Sequence, residues 1–434
     1  MGTGLQQGTS LPGREDRPYT FYKMTMSTCP ECLEVIQAQV VFQDDKVYFL
    51  KFCPDHGHSK ALVSEDAEYY QNAFQYIRPG SKPKHFSTEV SKGCPTDCGL
   101  CPDHQQHTCL PIIEVTDHCN LQCPICIVDN QYSNHMSLDD FRGVIDLLVK
   151  HEGSLETVTL SGGEPTAHPE FFELIDIATR PEIGRVSIVT NGLRIAKERE
   201  FCETLKEKNV YVILQLDGFT DEIHKTIRGV PLVEVKNQAL ENLAEFELAT
   251  QIAYVPARGV NEHQLGDALR LMLDRDHVLS LLIQPLANTG HGGGVFPTDP
   301  MDRLTIPGVI KALEEQSAGI VTREDFIPLP CSHPLCVSLT YLLKLDDGSY
   351  LPMPRFVDMR KHLDLFQQTA TIEPNQQTES ALQQAVDDLW SSSGEIPDSD
   401  KIRKALRRAL LEMFPNEEKS RQELIRIAES QAKT

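Results

Sequence analysis

Three cysteines in one short loop constrain this chain more than any other feature of its sequence. Cys119, Cys123 and Cys126 follow an apolar run at 112–115, with three and then two residues between them. Three thiolates on one loop can each bind one iron of a four-iron cluster, which leaves the fourth iron free to chelate a small molecule. A structural zinc site is the alternative. It needs four ligands in a closed tetrahedron, and this spacing offers no local fourth ligand.

The rhythm of the sequence from residue 111 onward predicts an α/β fold. Apolar, strand-like runs alternate there with helical patterns, which is typical of βα units and a parallel sheet. We expect helices near 138–150, 169–179, 196–208, 232–247 and 262–274. The expected strands are Pro111–Thr116, Thr157–Ser161, Arg185–Thr190, Val210–Leu216, Gln251–Pro256 and Leu281–Pro285. Six such units predict a partial barrel, and ligands of parallel α/β folds collect at the carboxyl ends of the strands.

The end of the second expected strand carries a Gly-Gly-Glu-Pro segment. Gly162 and Gly163 permit close approach of the backbone, and the Glu164 carboxylate can receive an ammonium group. Together with the cysteine loop, this segment resembles the radical S-adenosylmethionine (SAM) superfamily over residues 111–290. One departure is Ile125, because an aromatic residue often precedes the third cysteine in that superfamily.

The resemblance implies a partial (β/α)6 radical SAM barrel and a set of site residues. Cys119, Cys123 and Cys126 would be the catalytic ligands of a 4Fe-4S cluster. Gly162, Gly163 and Glu164 would hold the amino group of SAM. Further SAM contacts are expected at Thr190, Asn191, Gln215 and Arg228. The implied chemistry is reductive cleavage of SAM to a 5′-deoxyadenosyl radical, with the electron supplied by a donor such as ferredoxin or flavodoxin.

A second cysteine triad with the same spacing precedes the first. Cys94, Cys98 and Cys101 lack both a preceding apolar strand and a following Gly-Gly-Glu-Pro segment. We interpret them as ligands of an auxiliary 4Fe-4S cluster, because thiolates are the usual ligands of such clusters. Zinc binding or free thiols are the alternatives. A fourth ligand could come from Cys109, Cys331 or Cys336.

The N-terminal part contains a paired motif that predicts one mononuclear metal site. Cys29 and Cys32 are followed by Cys53 and His56, a spacing typical of zinc ribbons and rubredoxins. His58 competes with His56 as the nitrogen ligand, and the sequence does not decide between zinc and iron. Strand-like runs at Val35–Phe42 and Val47–Phe52 indicate a small β ribbon around it.

Further cysteines lie outside these motifs. Cys331 and Cys336 could supply remote ligands to an N-terminal metal site or be a pair of buried thiols. Cys202 lies in a helical pattern and is expected to be a small buried hydrophobe.

The whole cysteine set resembles one subgroup, which contains tetraether lipid synthases and pterin-directed radical SAM methylases. That resemblance implies a transferase that forms a carbon–carbon bond at an unactivated carbon, by chain coupling or methylation of a lipid. The alternative is methylation of a soluble heterocycle such as a pterin. A metal-stapled binding scaffold without enzymatic activity is the third hypothesis.

The charge composition of the chain argues against nucleic acids as partners. The chain has 41 Lys and Arg against 63 Asp and Glu, a net charge of −22, so it lacks the basic field that nucleic acids require. We recognise no export signal and no apolar run of about 18 residues, and we expect a cytoplasmic protein with reduced thiols. The basic segment 401–408 permits peripheral contact with a membrane, or it docks on the barrel.

These patterns divide the chain into five expected parts. A flexible tail at 1–17 precedes a cysteine-rich metal-binding region at 18–110 and the barrel at 111–290. A segment at 291–365 completes the barrel and carries auxiliary ligands, with a long loop expected over 286–310. A linker and C-terminal helices, expected at 401–414 and 417–431, form the extension at 366–434.

Overall fold

We describe a computed structural model of the chain. It describes residues 17–93, 97, 99–104, 106–128, 132–287, 290, 299–366, 380, 384 and 398–413. Cys94, Cys98 and the helix expected at 417–431 lie outside these residues.

The N-terminal region is a four-stranded antiparallel sheet in the order β1-β2-β3-β4. Its strands are β1 (Thr20–Thr28), β2 (Val35–Gln43), β3 (Lys46–Cys53) and β4 (Gly57–Ser64). The sequence patterns located β2 and β3 and missed β1 and β4. β1 has few buried residues, so it lacks the alternation of a half-buried strand. A short helix, α1 (Ala67–Asn72), follows, with its N-terminus capped by Asp66.

The second region is a parallel six-stranded sheet in sequential order, flanked by helices. Its strands are β5 (Ile112–Thr116), β6 (Val158–Gly162), β7 (Val186–Thr190), β8 (Tyr211–Gln215), β9 (Thr250–Tyr254) and β10 (Val278–Ile283). The helices between them are α2 (Leu138–Glu152), α3 (Phe171–Ala178), α4 (Leu193–Lys197), α5 (Arg199–Glu207), α6 (Asp221–Arg228), α7 (Val233–Glu245) and α8 (Leu265–Leu273). The expected partial (β/α)6 barrel is therefore present.

One face of this sheet packs against the helices and forms the main hydrophobic core. Val158, Leu160, Ile188, Val212 and Leu214 lie in this core and are less than 1 % exposed. Because side chains alternate along a strand, the intervening residues face the concave side of the barrel. Cys202 on α5 belongs to the same core and is fully buried, as expected.

The C-terminal part contains α9 (Ile306–Gln316), β11 (Ile327–Pro328), β12 (Ser338–Leu339), β13 (Leu342–Lys344), β14 (Tyr350–Pro352) and α10 (Ser399–Met413). The long loop expected over 286–310 was wrong at its end, because α9 begins at Ile306. Pro307 stands in its first turn, where proline is tolerated. Ile402 and Leu406 of α10 are buried, which matches docking on the protein.

The N-terminal sheet and the barrel are joined by hydrogen bonds and an ion pair. The Glu65 carboxylate accepts from the Thr305 backbone N–H at 3.0 Å and from Arg258 at 2.5 Å. Arg303 donates to the carbonyl of Leu62 at 2.9 Å. These contacts fix the sheet to the segment that precedes α9.

The Gly162-Gly163 turn lies directly against the backbone that follows β5. A Cβ atom on Gly163 would come within 2.2 Å of the His118 carbonyl oxygen, and one on Gly162 within 2.1 Å of the Thr116 carbonyl oxygen. The Gly163 N–H donates to the Thr116 carbonyl at 2.7 Å. The glycines therefore let the ends of β5 and β6 approach closely.

Gly163→Ala should destabilise the chain by about 1–3 kcal/mol, because backbone atoms must move to admit the methyl group. Urea unfolding followed by circular dichroism measures the change. Gly143→Ala is the matched control, because nothing lies within 4 Å of its added Cβ. The control should gain about 0.5–1 kcal/mol of helix stability. Equal stability of Gly163→Ala and the native chain would contradict the close packing.

Candidate functional site

The three cysteines of the loop after β5 gather in one apolar environment. Cys123 belongs to a buried cluster with Leu121 and Leu232, and Cys119 and Cys126 pack against the same cluster. The loop turns tightly, because the Cys126 N–H donates to the Cys123 carbonyl at 3.0 Å. The donor set is thus three soft thiol ligands on one turn, which fits three irons of a 4Fe-4S cluster.

Burial favours the protonated form of the Cys119 and Cys126 thiols by raising their pKa values. Burial, with smaller contributions from the neighbouring Glu164, Cys123 and Cys126, raises the pKa of Cys119 to about 11. Burial also raises the pKa of Cys126. Since thiolates are the metal ligands, cluster assembly in this loop must release protons.

Glu164 stands at the centre of the strand ends and is only 1 % exposed. Its Oε1 accepts from the Thr166 hydroxyl at 2.6 Å and the Thr190 hydroxyl at 2.8 Å. Its Oε2 accepts from the Asn191 N–H at 2.8 Å and retains capacity for a further donor. The carboxylate therefore joins the ends of β6 and β7, and Oε2 is the atom that fits an ammonium group.

The expected SAM contacts Thr190 and Asn191 are bonded to the rest of the site. The Asn191 side chain donates to the Asn120 side chain at 2.6 Å, which links the end of β7 to the cysteine loop. Gln215 lies at the end of β8 and is partly buried. Sequence reasoning did not select Asn120, although its position between Cys119 and the apolar Leu121 was a usable signal.

Arg228 lies buried at the end of α6 and pairs with Asp217. Arg228 Nε donates to Asp217 Oδ2 at 2.6 Å, and both side chains are at most 8 % exposed. Asp217 Oδ1 accepts from the Val255 N–H at 2.8 Å, so the carboxylate also holds the end of β9. Although burial opposes it, this pairing raises the pKa of Arg228, which stays charged next to Cys123. Asp217, which directly follows Leu216 after β8, is a site residue that the sequence motifs did not identify.

The concave face of the sheet carries a row of polar side chains below these strand ends. The hydroxyls of Thr159 and Ser187 lie 2.7 Å apart on β6 and β7. Across β8, β9 and β10, Ser280 Oγ lies 3.1 Å from the Tyr211 hydroxyl and accepts from Gln251 at 2.8 Å. The inner wall of the barrel thus offers hydroxyl and amide groups.

A cavity of about 660 Å³ lies beside the cysteine loop. Asn120, Arg194 and Lys197 line it together with Leu193 and Val235. Leu193 and Val235 also pack against the buried cluster of Leu121, Cys123 and Leu232. The cavity therefore borders the apolar surroundings of the cysteine loop.

The N-terminal sheet brings four metal-ligating side chains together. The ligand atoms of Cys29, Cys32, Cys53 and His56 all lie within 4.8 Å of one another. The hydrogen bond from His56 lowers the pKa of Cys53 to about 7. His58 instead packs its ring against Phe52, with centroids 4.9 Å apart. These four donors fit a tetrahedral zinc-ribbon site.

The remaining cysteines are only partly assembled among the described residues. Cys101 is buried, whereas Cys336 is exposed. Burial raises the pKa of Cys331, and nearby Cys109 raises it further, so these two thiols from distant parts of the chain are neighbours. Cys94 and Cys98 fall outside the described residues, and the auxiliary cluster stays a prediction.

The helix that carries the basic segment is held by acidic residues of the C-terminal hairpin. Lys404 pairs with Asp346 at 2.7 Å, and Arg408 pairs with the same carboxylate. Its apolar side chains Ile402 and Leu406 face the interior. Among the described residues, no helix is long and apolar enough to span a membrane.

Two family profiles match the chain. The Radical SAM superfamily matches residues 113–272, and the HMPTM N-terminal zinc ribbon domain matches residues 21–65. Both matches coincide with regions that the structure shows as separate sheets.

Relatives of known name share much of the sequence. A 7,8-dihydro-6-hydroxymethylpterin dimethyltransferase of Methanocaldococcus jannaschii is 33% identical over 370 residues, 79% of this chain and 72% of the relative. The mycofactocin maturase MftC of Mycobacterium ulcerans is 34% identical over 42% of this chain and 48% of its own length. Among solved structures, SuiB of Streptococcus suis bound to its precursor peptide SuiA is 17% identical with a TM-score of 0.39. That match covers 48% of this chain and 45% of SuiB.

His56→Ala should remove the metal ion of the N-terminal sheet, because three thiols alone leave the tetrahedron open. Zinc and iron are counted per chain by plasma mass spectrometry in a background without either cluster, in which Ala replaces Cys94, Cys98, Cys101, Cys119, Cys123 and Cys126. His58→Ala is the matched control and should retain the ion. Loss of the ion from the His58 variant and its retention in the His56 variant would reverse the ligand assignment.

Proposed function

The chain belongs to the radical SAM superfamily of enzymes, and we propose that it methylates an unactivated carbon of a soluble, polar heterocycle of the pterin type. The row of polar side chains on the concave face of the barrel carries this proposal. Ser280, Tyr211 and Gln251 offer hydrogen-bond donors and acceptors to a ring with polar edges. The name of the M. jannaschii relative, a pterin dimethyltransferase, supports the same substrate class.

Coupling of lipid chains is the weaker reading of the same site. These hydroxyl and amide groups bond to one another and retain capacity for further hydrogen bonds, which an acyl chain cannot use. The basic helix α10 also directs Ile402 and Leu406 into the protein, where they cannot enter a bilayer. Both observations favour a substrate that diffuses in water.

Each part of the site has a proposed role in this reaction. Cys119, Cys123 and Cys126 hold the cluster, while the Gly162-Gly163 backbone and Glu164 Oε2 receive the SAM amino group. When bound, the cluster and SAM would supply a 5′-deoxyadenosyl radical that abstracts hydrogen from the substrate, and the methyl group would come from a second SAM, which leaves as S-adenosylhomocysteine after one more electron is taken up. Thr190, Asn191, Gln215 and Arg228 line the same strand ends and orient SAM above the polar row.

The reaction also needs electrons from outside the chain, one for each SAM. We assign their entry to the cavity beside the cysteine loop, because Leu193 and Val235 line this cavity and pack against the buried cluster that contains Cys123. A small redox protein such as ferredoxin or flavodoxin would approach there, in the cytoplasm.

The N-terminal region has a proposed structural and electron-transfer role. Zinc at Cys29, Cys32, Cys53 and His56 would hold the four-stranded sheet, which is anchored to the barrel through Glu65. An auxiliary cluster would use Cys94, Cys98 and Cys101, and the neighbours Cys109 and Cys331 supply ligands that connect residues 18–110 with residues 291–365. The proposed parts of the chain are residues 1–17, 18–110, 111–290, 291–365 and 366–434.

Anaerobically reconstituted chain, reduced and incubated with 7,8-dihydro-6-hydroxymethylpterin and methyl-labelled SAM, should form 5′-deoxyadenosine and a methylated pterin. Chromatography with mass spectrometry measures both products, and label in the product identifies SAM as the methyl donor. Cys119→Ala should form neither product, because one iron loses its ligand.

Cys202→Ala is the control for this experiment, since Cys202 packs in the core away from the loop, and it should retain both products. Absence of 5′-deoxyadenosine from the native chain would contradict the radical reaction. Methylation or coupling of an acyl chain, with the pterin left unchanged, would contradict the substrate class.

A further inference from the structure

A lysine lies completely inside the protein behind the candidate SAM site. Lys236 is on the first turn of α7 and is only 1 % exposed. Burying an ammonium group is costly unless nearby groups compensate for its lost hydration. The roles proposed above do not use Lys236, so its burial requires another explanation.

The Lys236 ammonium holds the turn at the end of β7. Its Nζ donates to the Asn191 carbonyl at 2.5 Å. The same Asn191 donates its backbone N–H to Glu164 and its side-chain amide to Asn120 in the cysteine loop. Asn191 alone therefore connects Lys236 to the Glu164 carboxylate and to the cysteine loop by hydrogen bonds.

The charges around Lys236 are those of the site itself. Asp217 and Glu164 act on Lys236 as negative charges, as does the Cys123 sulfur once it is a thiolate, and Arg228 acts as a positive charge. Burial lowers the pKa of Lys236 to about 8, so that the side chain is mostly charged at pH 7. Burial also lowers the pKa of nearby His224, whose ring is then neutral. Lys236 and Arg228 are therefore the cations among these residues.

An iron–sulfur cluster becomes more negative when it accepts an electron. Its reduction potential depends on the net charge around it, on hydrogen bonds to its sulfurs and on its exposure to solvent. A buried positive charge acts more strongly than an exposed one, because water does not screen it. Removing such a charge must make the cluster harder to reduce.

We propose that Lys236 is a positioning residue that supplies buried positive charge to the Cys119–Cys126 cluster and so raises its reduction potential. This inference rests on the proposed function, because it takes the three cysteines as cluster ligands. The step concerned is the uptake of one electron from an external donor, with no bond made or broken. Through its hydrogen bond to Asn191, the same ammonium fixes the positions of Glu164 and the cysteine loop relative to each other.

Redox titrations monitored by electron paramagnetic resonance, at pH 7 and without SAM, test this role. The full-length chain with the Cys94, Cys98 and Cys101 thiols replaced by Ala reports the barrel cluster alone. Lys236→Met removes the charge and the hydrogen bond, and Lys236→Gln removes the charge but keeps an N–H donor. Lys225→Met is the matched control, because it removes one exposed charge from the adjacent helix α6.

We expect both Lys236 variants to bind iron like the native chain and to be harder to reduce. At a fixed solution potential their ratio of reduced to oxidised cluster should fall about tenfold, equivalent to about 59 mV for one electron. Lys236→Arg should retain the native ratio, and Lys225→Met should change it by less than about twofold, since water and salt screen that charge.

The outcomes separate the possible failures. A native ratio in Lys236→Gln with full iron content would overturn the inference while leaving the proposed function intact. If Lys236→Met loses iron, the ratio in Lys236→Gln decides the matter. A native chain that shows no reducible cluster at all would overturn the proposed function itself.

Discussion

The buried carboxylate of Glu164 is the interaction on which the candidate site depends. It accepts hydrogen bonds from Thr166 on its own strand end and from Thr190 and Asn191 on the next. Burial raises its pKa and the surrounding hydrogen bonds oppose that rise. Hydrogen bonds to an ionised carboxylate are stronger than neutral ones, and inside the protein they are weakly screened. Because Asn191 also binds Asn120, this one side chain fixes the cysteine loop relative to β6 and β7.

Close backbone contact between the ends of β5 and β6 also fixes the site. Neighbouring backbone atoms fill the space that a side chain on the glycine turn after β6 would need. The turn also donates a backbone hydrogen bond to the Thr116 carbonyl at the end of β5. The Asp217–Arg228 pair extends the same arrangement to β8 and β9. The result is a polar rim with fixed donors and acceptors above a barrel wall lined by hydroxyl groups. Such a rim orients ligands without paying for rearrangement when they bind.

Much of the fold could be predicted because hydrophobic periodicity is strong where the core is large. All six barrel strands alternate with helices whose apolar faces fill the core. The spacing of apolar residues in the sequence therefore indicates both kinds of element. β1 was missed since its side chains are mostly exposed, and α9 was missed because glycine and proline earlier in the segment suggested a loop. The cysteine loop and the Gly-Gly-Glu-Pro segment were recognisable as motifs. Lys236 was not, because its burial arises from the packing of α7 against the end of β7 and leaves no local signature.

The central claim is that three cysteines hold a cluster whose open iron binds SAM beside Glu164. Electron–nuclear double resonance on the reduced chain, with SAM carrying nitrogen-15 in its amino group, tests it most directly. We expect the native chain to show a nitrogen coupling to the cluster and Glu164→Gln to show a much weaker one. A reduced cluster that shows no coupling to the amino nitrogen, with SAM bound, would contradict it.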